Sequence, residues 1–182
     1  RQRQMCIRDS TLYAYNKKLI LHSFLESAHR LNHPYIQLSL SQLETYRKAG
    51  LLSDFAQIGT SVHSVDDVRL AEKLGADYVF AGNIYETECK AGLAGRGLAF
   101  LKEVCDNTCL PVYAIGGMTP DRLPGVLEAG AKGACMMSGF MSYNQTATLM
   151  AAFDACGTIR PSAISMISSA VSYTHLRAHE TS

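Results

Sequence analysis

Short apolar runs recur between amphipathic stretches from residue 19 onward, and this alternation constrains the fold more than any other feature of the chain. The runs at 19–21, 35–38, 56–61, 77–81, 111–115 and 134–137 read as strands. Each is followed by a segment with helical spacing, at 24–31, 42–49, 65–74, 98–104, 119–129 and 146–155. The punctuation agrees. Gly50, Gly75 and Gly130 follow three of the helices, and Thr119-Pro120 supplies an N-cap with proline at the first helical position. Ser64 and Asp67 form a capping-box-like S-x-x-D. Continuous apolar strands joined by helical crossovers predict a parallel α/β sheet covered by helices. Six units fit either a doubly wound open sheet or a (βα) barrel. A complete barrel needs eight units and ~200 residues or more, so as a barrel the chain is short by about two of them.

Composition narrows the classes of function. Of the 182 residues 47% are hydrophobic and 18% charged, with a formal net charge of +1, which suits a globular domain with a real core. With no basic stripe, nucleic acid is not an expected partner. No apolar run approaches the ~18 residues of a membrane span, so no membrane partner is expected. Cys6, Cys89, Cys105, Cys109, Cys135 and Cys156 include no C-x-x-C pair. They read as reduced, mostly buried thiols of a cytoplasmic protein.

The two ends read differently from the middle. Met5-Cys6-Ile7-Arg8-Asp9 can be encoded by ATG-TGT-ATA-AGA-GAC, and the reverse complement of that DNA encodes Val-Ser-Tyr-Thr-His, the sequence of residues 171–175. Residues 1–10 and 171–182 therefore resemble a sequencing adapter translated in both orientations, and are set aside from fold reasoning. The expected organisation is a partial barrel domain over 11–157 and a loose tail over 158–170. The open sheet edge of such a fragment predicts self-association, including a homo-oligomer.

Parallel α/β proteins place function at the C-terminal ends of their strands. Here those ends read His22-Ser23, Ser39, Ser61, Gly82-Asn83, Gly116-Gly117 and Ser138-Gly139. Glycine corners let backbone N–H groups approach an anion, and a following helix N-terminus favours negative charge. Two such corners in neighbouring units predict a phosphate site at Gly116, Gly117, Ser138 and Gly139. The loop over 83–96 is long for a strand-to-helix connection and carries Asn83, Glu86, Thr87, Glu88, Cys89, Lys90 and Arg96. Such loops act as ligand clamps, with Lys90 a candidate phosphate contact.

Five segments together resemble the thiamine phosphate synthase/TenI superfamily. They are Ile58-Gly-Thr-Ser-Val-His-Ser64, Gly82-Asn-Ile-Tyr-Glu-Thr-Glu-Cys-Lys90, Gly95-Arg-Gly97, Ala114-Ile-Gly-Gly-Met-Thr-Pro-Asp-Arg122 and Met137-Ser-Gly139. Glu-Thr-Glu-Cys-Lys and Gly-Arg-Gly point to the TenI-type branch, the thiazole tautomerases. The resemblance implies a TIM barrel of the thiamine phosphate synthase type acting on a thiazole phosphate. It matches Gly116, Gly117, Ser138 and Gly139 to the thiazole-phosphate cradle, Ser61 to a polar strand-end residue of the site, and Lys90 to a diphosphate-binding lysine. Ser23 and Gln42 fall where the synthases place aspartates for Mg²⁺, and neither is acidic. Asn83 stands where the tautomerases carry their proton-transfer histidine. His22 and Glu86 are the candidates to replace it, because an imidazole with an ordinary pKa of about 6.5 suits that task.

Three functions follow as expectations. The first is a thiazole tautomerase that moves a proton on a thiazole carboxylate phosphate without a cofactor. The second is a thiamine phosphate synthase joining thiazole phosphate to a pyrimidine diphosphate with Mg²⁺. The third is a non-catalytic relative that binds a thiazole or thiamine phosphate.

Overall fold

A computed structural model describes residues 18–87, 92 and 94–136 of the chain. Six strands, β1 (Leu21–His22), β2 (Tyr35–Ser39), β3 (Gln57–Val62), β4 (Tyr78–Gly82), β5 (Val112–Ile115) and β6 (Gly133–Cys135), form one sheet in sequential order. Every neighbouring pair is parallel. The helices α1 (Leu25–Arg30), α2 (Leu40–Lys48), α3 (Val65–Lys73), α4 (Gly97–Asp106) and α5 (Leu123–Glu128) are the crossovers. This is the expected parallel α/β fold, six strands of an incomplete barrel. The sixth expected helix and the tail lie outside the described residues.

Side-chain alternation along the strands divides the core into two layers. Ile36 and Leu38 of β2, Val62 of β3 and Val79 of β4 point outward and are fully buried against Leu43, Val68, Leu101 and Val104 of the helices. On the other face Ile20 and Tyr78 are buried with Tyr35, Phe80 and Tyr113 packed against them. Tyr78 meets Phe80 at 5.4 Å and Tyr113 at 6.1 Å between ring centroids. Burial of this much apolar area at ~25 cal/mol per Å² is what holds sheet and helices together.

Element ends are set by local chemistry, and some differ from expectation. The first strand is Leu21–His22 rather than 19–21. Helix α2 begins at Leu40, two residues earlier than its apolar pattern suggests. Its N-cap Ser39 accepts from the Gln42 backbone N–H while the Gln42 side chain accepts from the Ser39 N–H, a complete capping box. At α3 the Ser64 hydroxyl accepts from Asp67 N–H as expected, but the Asp67 carboxylate accepts from the His63 N–H, one residue outside the usual box. Thr119 precedes a 3₁₀ turn (Pro120–Arg122) rather than an α-helix, and its hydroxyl makes no capping bond. The α-helix starts only at Leu123, because the proline ring and the tight turn take up the first three residues. The Arg47 guanidinium donates to the Leu74 and Gly75 carbonyls and closes the end of α3.

Candidate active site

The polar residues gather along the C-terminal edge of the sheet. His22 shares the sheet face of Ile20, the barrel interior, and lies in register with Gln37. Gln37 is 3% exposed and donates from Nε2 to the Ser61 hydroxyl at 3.4 Å. Its Oε1 is buried without a partner, as is the Tyr78 hydroxyl. The structure thus brings His22, Gln37 and Ser61 onto the interior face of the sheet, with Gln37 in register with His22 and bonded to Ser61, and Gln37 is a member that the sequence reading passed over. Only the inter-strand register reveals it.

At the exit of β1 the chain turns sharply. Ser23 has φ +63°, a left-handed conformation that non-glycine residues seldom adopt, and its N–H donates to the Gln37 carbonyl at 2.9 Å. The Ser23 hydroxyl lies 2.9 Å from His22 Nδ1 and 3.2 Å from Gln42 Oε1. That oxygen also receives the Ser39 N–H and hydroxyl, each at 3.1 Å. His22 is exposed at its edge, yet burial of the ring pulls its pKa below the ordinary 6.5, with a hydrogen bond to its own backbone opposing.

These donors do not fit the Mg²⁺ that the family implies. Ser23, Ser39 and Gln42 offer two hydroxyls and an amide oxygen that already accepts hydrogen bonds, with an imidazole alongside and no carboxylate. A hard divalent cation takes oxygen ligands, usually including carboxylates. Among the described residues no three His, Cys, Asp or Glu side chains come close enough to share a metal.

The glycine corner after β5 has a packing reason of its own. Gly116 and Gly117 have φ +98° and +61°. A Cβ on Gly116 would sit 2.6 Å from Asn83 Cβ, and one on Gly117 would sit 2.5 Å from the Glu86 carbonyl oxygen. The segment leaving β4 therefore lies directly on this corner, and Tyr85 N–H donates to the Gly116 carbonyl at 3.2 Å. Asn83 is 7% exposed, and its side-chain amide donates to the Tyr85 carbonyl at 3.4 Å. Its amide shapes this turn. Glu86 is exposed and Thr87 half-buried on the same segment, and Ser61 is half-buried at the end of β3. Lys90, Ser138 and Gly139 lie outside the described residues.

Two further residues belong to this rim. Arg122 donates to the Gly117 carbonyl and stacks over the Tyr85 ring at 4.4 Å, bringing a cation to the glycine corner. A basic residue in a first helical turn opposes the helix dipole, and that mismatch was the available sequence signal. The His63 ring donates from Nδ1 to the Gly82 carbonyl at 2.6 Å, tying β3 to β4. His29 and His33 bond through Nε2 to the Leu51 and Leu19 carbonyls and staple loops.

Fold and rim together define a parallel (βα) barrel protein with its polar residues at the strand exits. A family model described as thiamine monophosphate synthase matches residues 4–140. The chain belongs to the thiamine monophosphate synthase family. It is 32% identical to the thiamine-phosphate synthase of Synechococcus sp. (strain WH7803) over 145 residues, 80% of this chain and 39% of that protein. It is 40% identical to that of Caldivirga maquilingensis over 85 residues, 47% of this chain and 42% of that protein. The chain thus spans about two fifths of the length of these relatives. Among solved structures it resembles a thiamine phosphate pyrophosphorylase from Pyrococcus furiosus, with a TM-score of 0.68 and 25% identity over 79% of this chain and 69% of that one. These relatives carry the synthase name, whereas Glu-Thr-Glu-Cys-Lys and Gly-Arg-Gly had pointed to the tautomerase branch.

Proposed function

We propose that the protein represented by this chain works in thiamine biosynthesis on a phosphorylated thiazole, and that its reaction is that of a thiamine phosphate synthase, a transferase. The observation that carries this reading is the family match across the whole described sheet, together with the synthase name that the relatives carry. In this reading Gly116 and Gly117, with Ser138 and Gly139, hold the phosphate through main-chain amides, and Ser61, Thr87 and Lys90 supply further contacts to the substrate. The test incubates the full chain with thiazole phosphate and the pyrimidine diphosphate, with and without Mg²⁺. Thiamine phosphate should form. Its absence under both conditions overturns the synthase reading.

A second reading, the thiazole tautomerase, is favoured by one observation: the neutral His22–Ser23–Gln42 arrangement stands where cation ligands would be needed. Here a proton moves on a thiazole carboxylate phosphate, and His22 or Glu86 carries it in place of Asn83. General acid–base catalysis supplies ~10²–10⁴-fold. His22→Ala or Glu86→Gln should therefore remove a rate of that order, and a rate unchanged by both sinks the reading. Tight binding of the phosphorylated thiazole by calorimetry, with neither reaction, would instead support a carrier or sensor.

A further inference from the structure

The hydrogen-bond directions at the exit of β1 carry an inference beyond either reaction. We propose that Ser23 and Gln42 are positioning residues that hold His22 in its neutral Nδ1–H tautomer, leaving Nε2 as a proton acceptor at the mouth of the barrel.

The argument begins at a donor that cannot change. The Ser39 backbone N–H can only donate, and the Gln42 side-chain atom facing it at 3.1 Å must therefore be the amide oxygen rather than the NH₂. That oxygen can only accept, so the Ser23 hydroxyl 3.2 Å away gives its proton to Gln42. With that proton committed, the Ser23 oxygen can only accept from His22 Nδ1 at 2.9 Å. A neutral imidazole has one N–H. Placing it on Nδ1 puts the lone pair on Nε2, because the bond made by one ring nitrogen sets the state of the other. Every group in this chain is uncharged, and each member is fixed independently. Gln42 is locked by the α2 capping box, and Ser23 by its left-handed backbone and its bond to the Gln37 carbonyl. Such a backbone conformation persists where the surroundings over-determine it, and it concentrates at working sites.

A base in this state takes a proton from a bound ligand on Nε2 and becomes an imidazolium whose Nδ1–H still donates to Ser23. It then returns the proton to another atom of the same ligand, and no proton is gained or lost overall. This use of His22 rests on the tautomerase reading; the tautomer itself does not.

The test is ¹⁵N NMR of the full chain labelled at histidine, without substrate, near neutral pH. The His22 signal is assigned by its loss in His22→Gln. Wild type should show an N–H on Nδ1 and an unprotonated Nε2. Ser23→Gly relieves the left-handed backbone while removing the hydroxyl, and should move His22 to a majority of the Nε2–H form. Gln42→Glu keeps both the cap and the acceptor and should preserve the wild-type pattern, whereas Gln42→Leu should lose it. Mg²⁺ alone should leave the His22 signals in place. A wild-type Nε2–H tautomer, a Ser23→Gly spectrum like wild type, or a saturable shift on adding Mg²⁺ would overturn the proposal. Because no turnover is read, failure here is separate from failure of the tautomerase reading.

Discussion

The ring of Tyr78 on β4 lies across the bare Cα of its register partner Gly59 on β3. A Cβ added at Gly59 would fall 2.1 Å from the Tyr78 ring and 2.2 Å from Gln37 Oε1. Three residues of three strands thus share one position in the barrel interior, and only glycine leaves room.

Gly59→Ala should destabilise the fold by about 1–3 kcal/mol, the range for overpacking a filled core. Urea denaturation followed by circular dichroism reads this directly. Adding Tyr78→Leu to Gly59→Ala should recover part of the loss, since the ring is the obstacle. Additive losses in the double variant would show that the clash is not the cause.

The Tyr78 hydroxyl is buried without a partner, and burial raises its pKa well above the usual phenol value. A lone buried hydroxyl costs ~1–3 kcal/mol, so Tyr78→Phe should be neutral or stabilising in the same assay. The sign of the pH effect follows from the raised folded-state pKa. Stability is intact below pH about 10, the unfolded phenol value, and falls as pH rises above it. Tyr78→Phe should flatten that alkaline decline, and a decline of unchanged slope would assign it to other groups.

Cys135 and Cys109 should differ sharply in reactivity. Cys135 is buried, and burial pushes its thiol up to about 12, while Cys109 is exposed after the end of α4. The thiolate is the reactive form. Alkylation of the native chain near pH 8 should therefore label Cys109 and leave Cys135 unmodified until denaturant is added. Peptide mass spectrometry distinguishes the two sites, and early labelling of Cys135 would contradict its burial.

The two caps give a graded pair. Ser64→Ala removes the hydroxyl that accepts from Asp67 N–H and should cost about 1 kcal/mol. Ser39→Ala breaks the reciprocal box of α2 and also removes one of the bonds to Gln42 Oε1, so its cost should be at least as large. Thermal melts of the two variants against wild type give the order.

The architecture was legible because apolar runs and helical spacing alternate without a break, and the parallel sheet with its crossovers follows from that alone. What the sequence could not show depends on register. Gly59, Gln37 and Tyr78 are far apart in the chain and become neighbours only once β2, β3 and β4 are aligned. The Gly116-Gly117 corner was read as an anion cradle, but its strictest requirement among the described residues is the close approach of Asn83 and Glu86. The S-x-x-Q of Ser39 and Gln42 was a visible capping signal hidden by the apolar run beside it, and with it went the role of Gln42 beside Ser23. Asn83 drew attention through what it replaces, whereas its amide turned out to be occupied by the Tyr85 carbonyl.

Strand β1 is two residues long and pairs with β2 alone among the described residues. Elements with so few ladder bonds open at low energetic cost. The imidazole of His22 is therefore mounted on a hinge-like splint, and the hydroxyl of Ser23 is the latch that fastens it to the first turn of a far sturdier helix. Any ligand that prises that latch open would unseat the ring and loosen the helix start in the same motion.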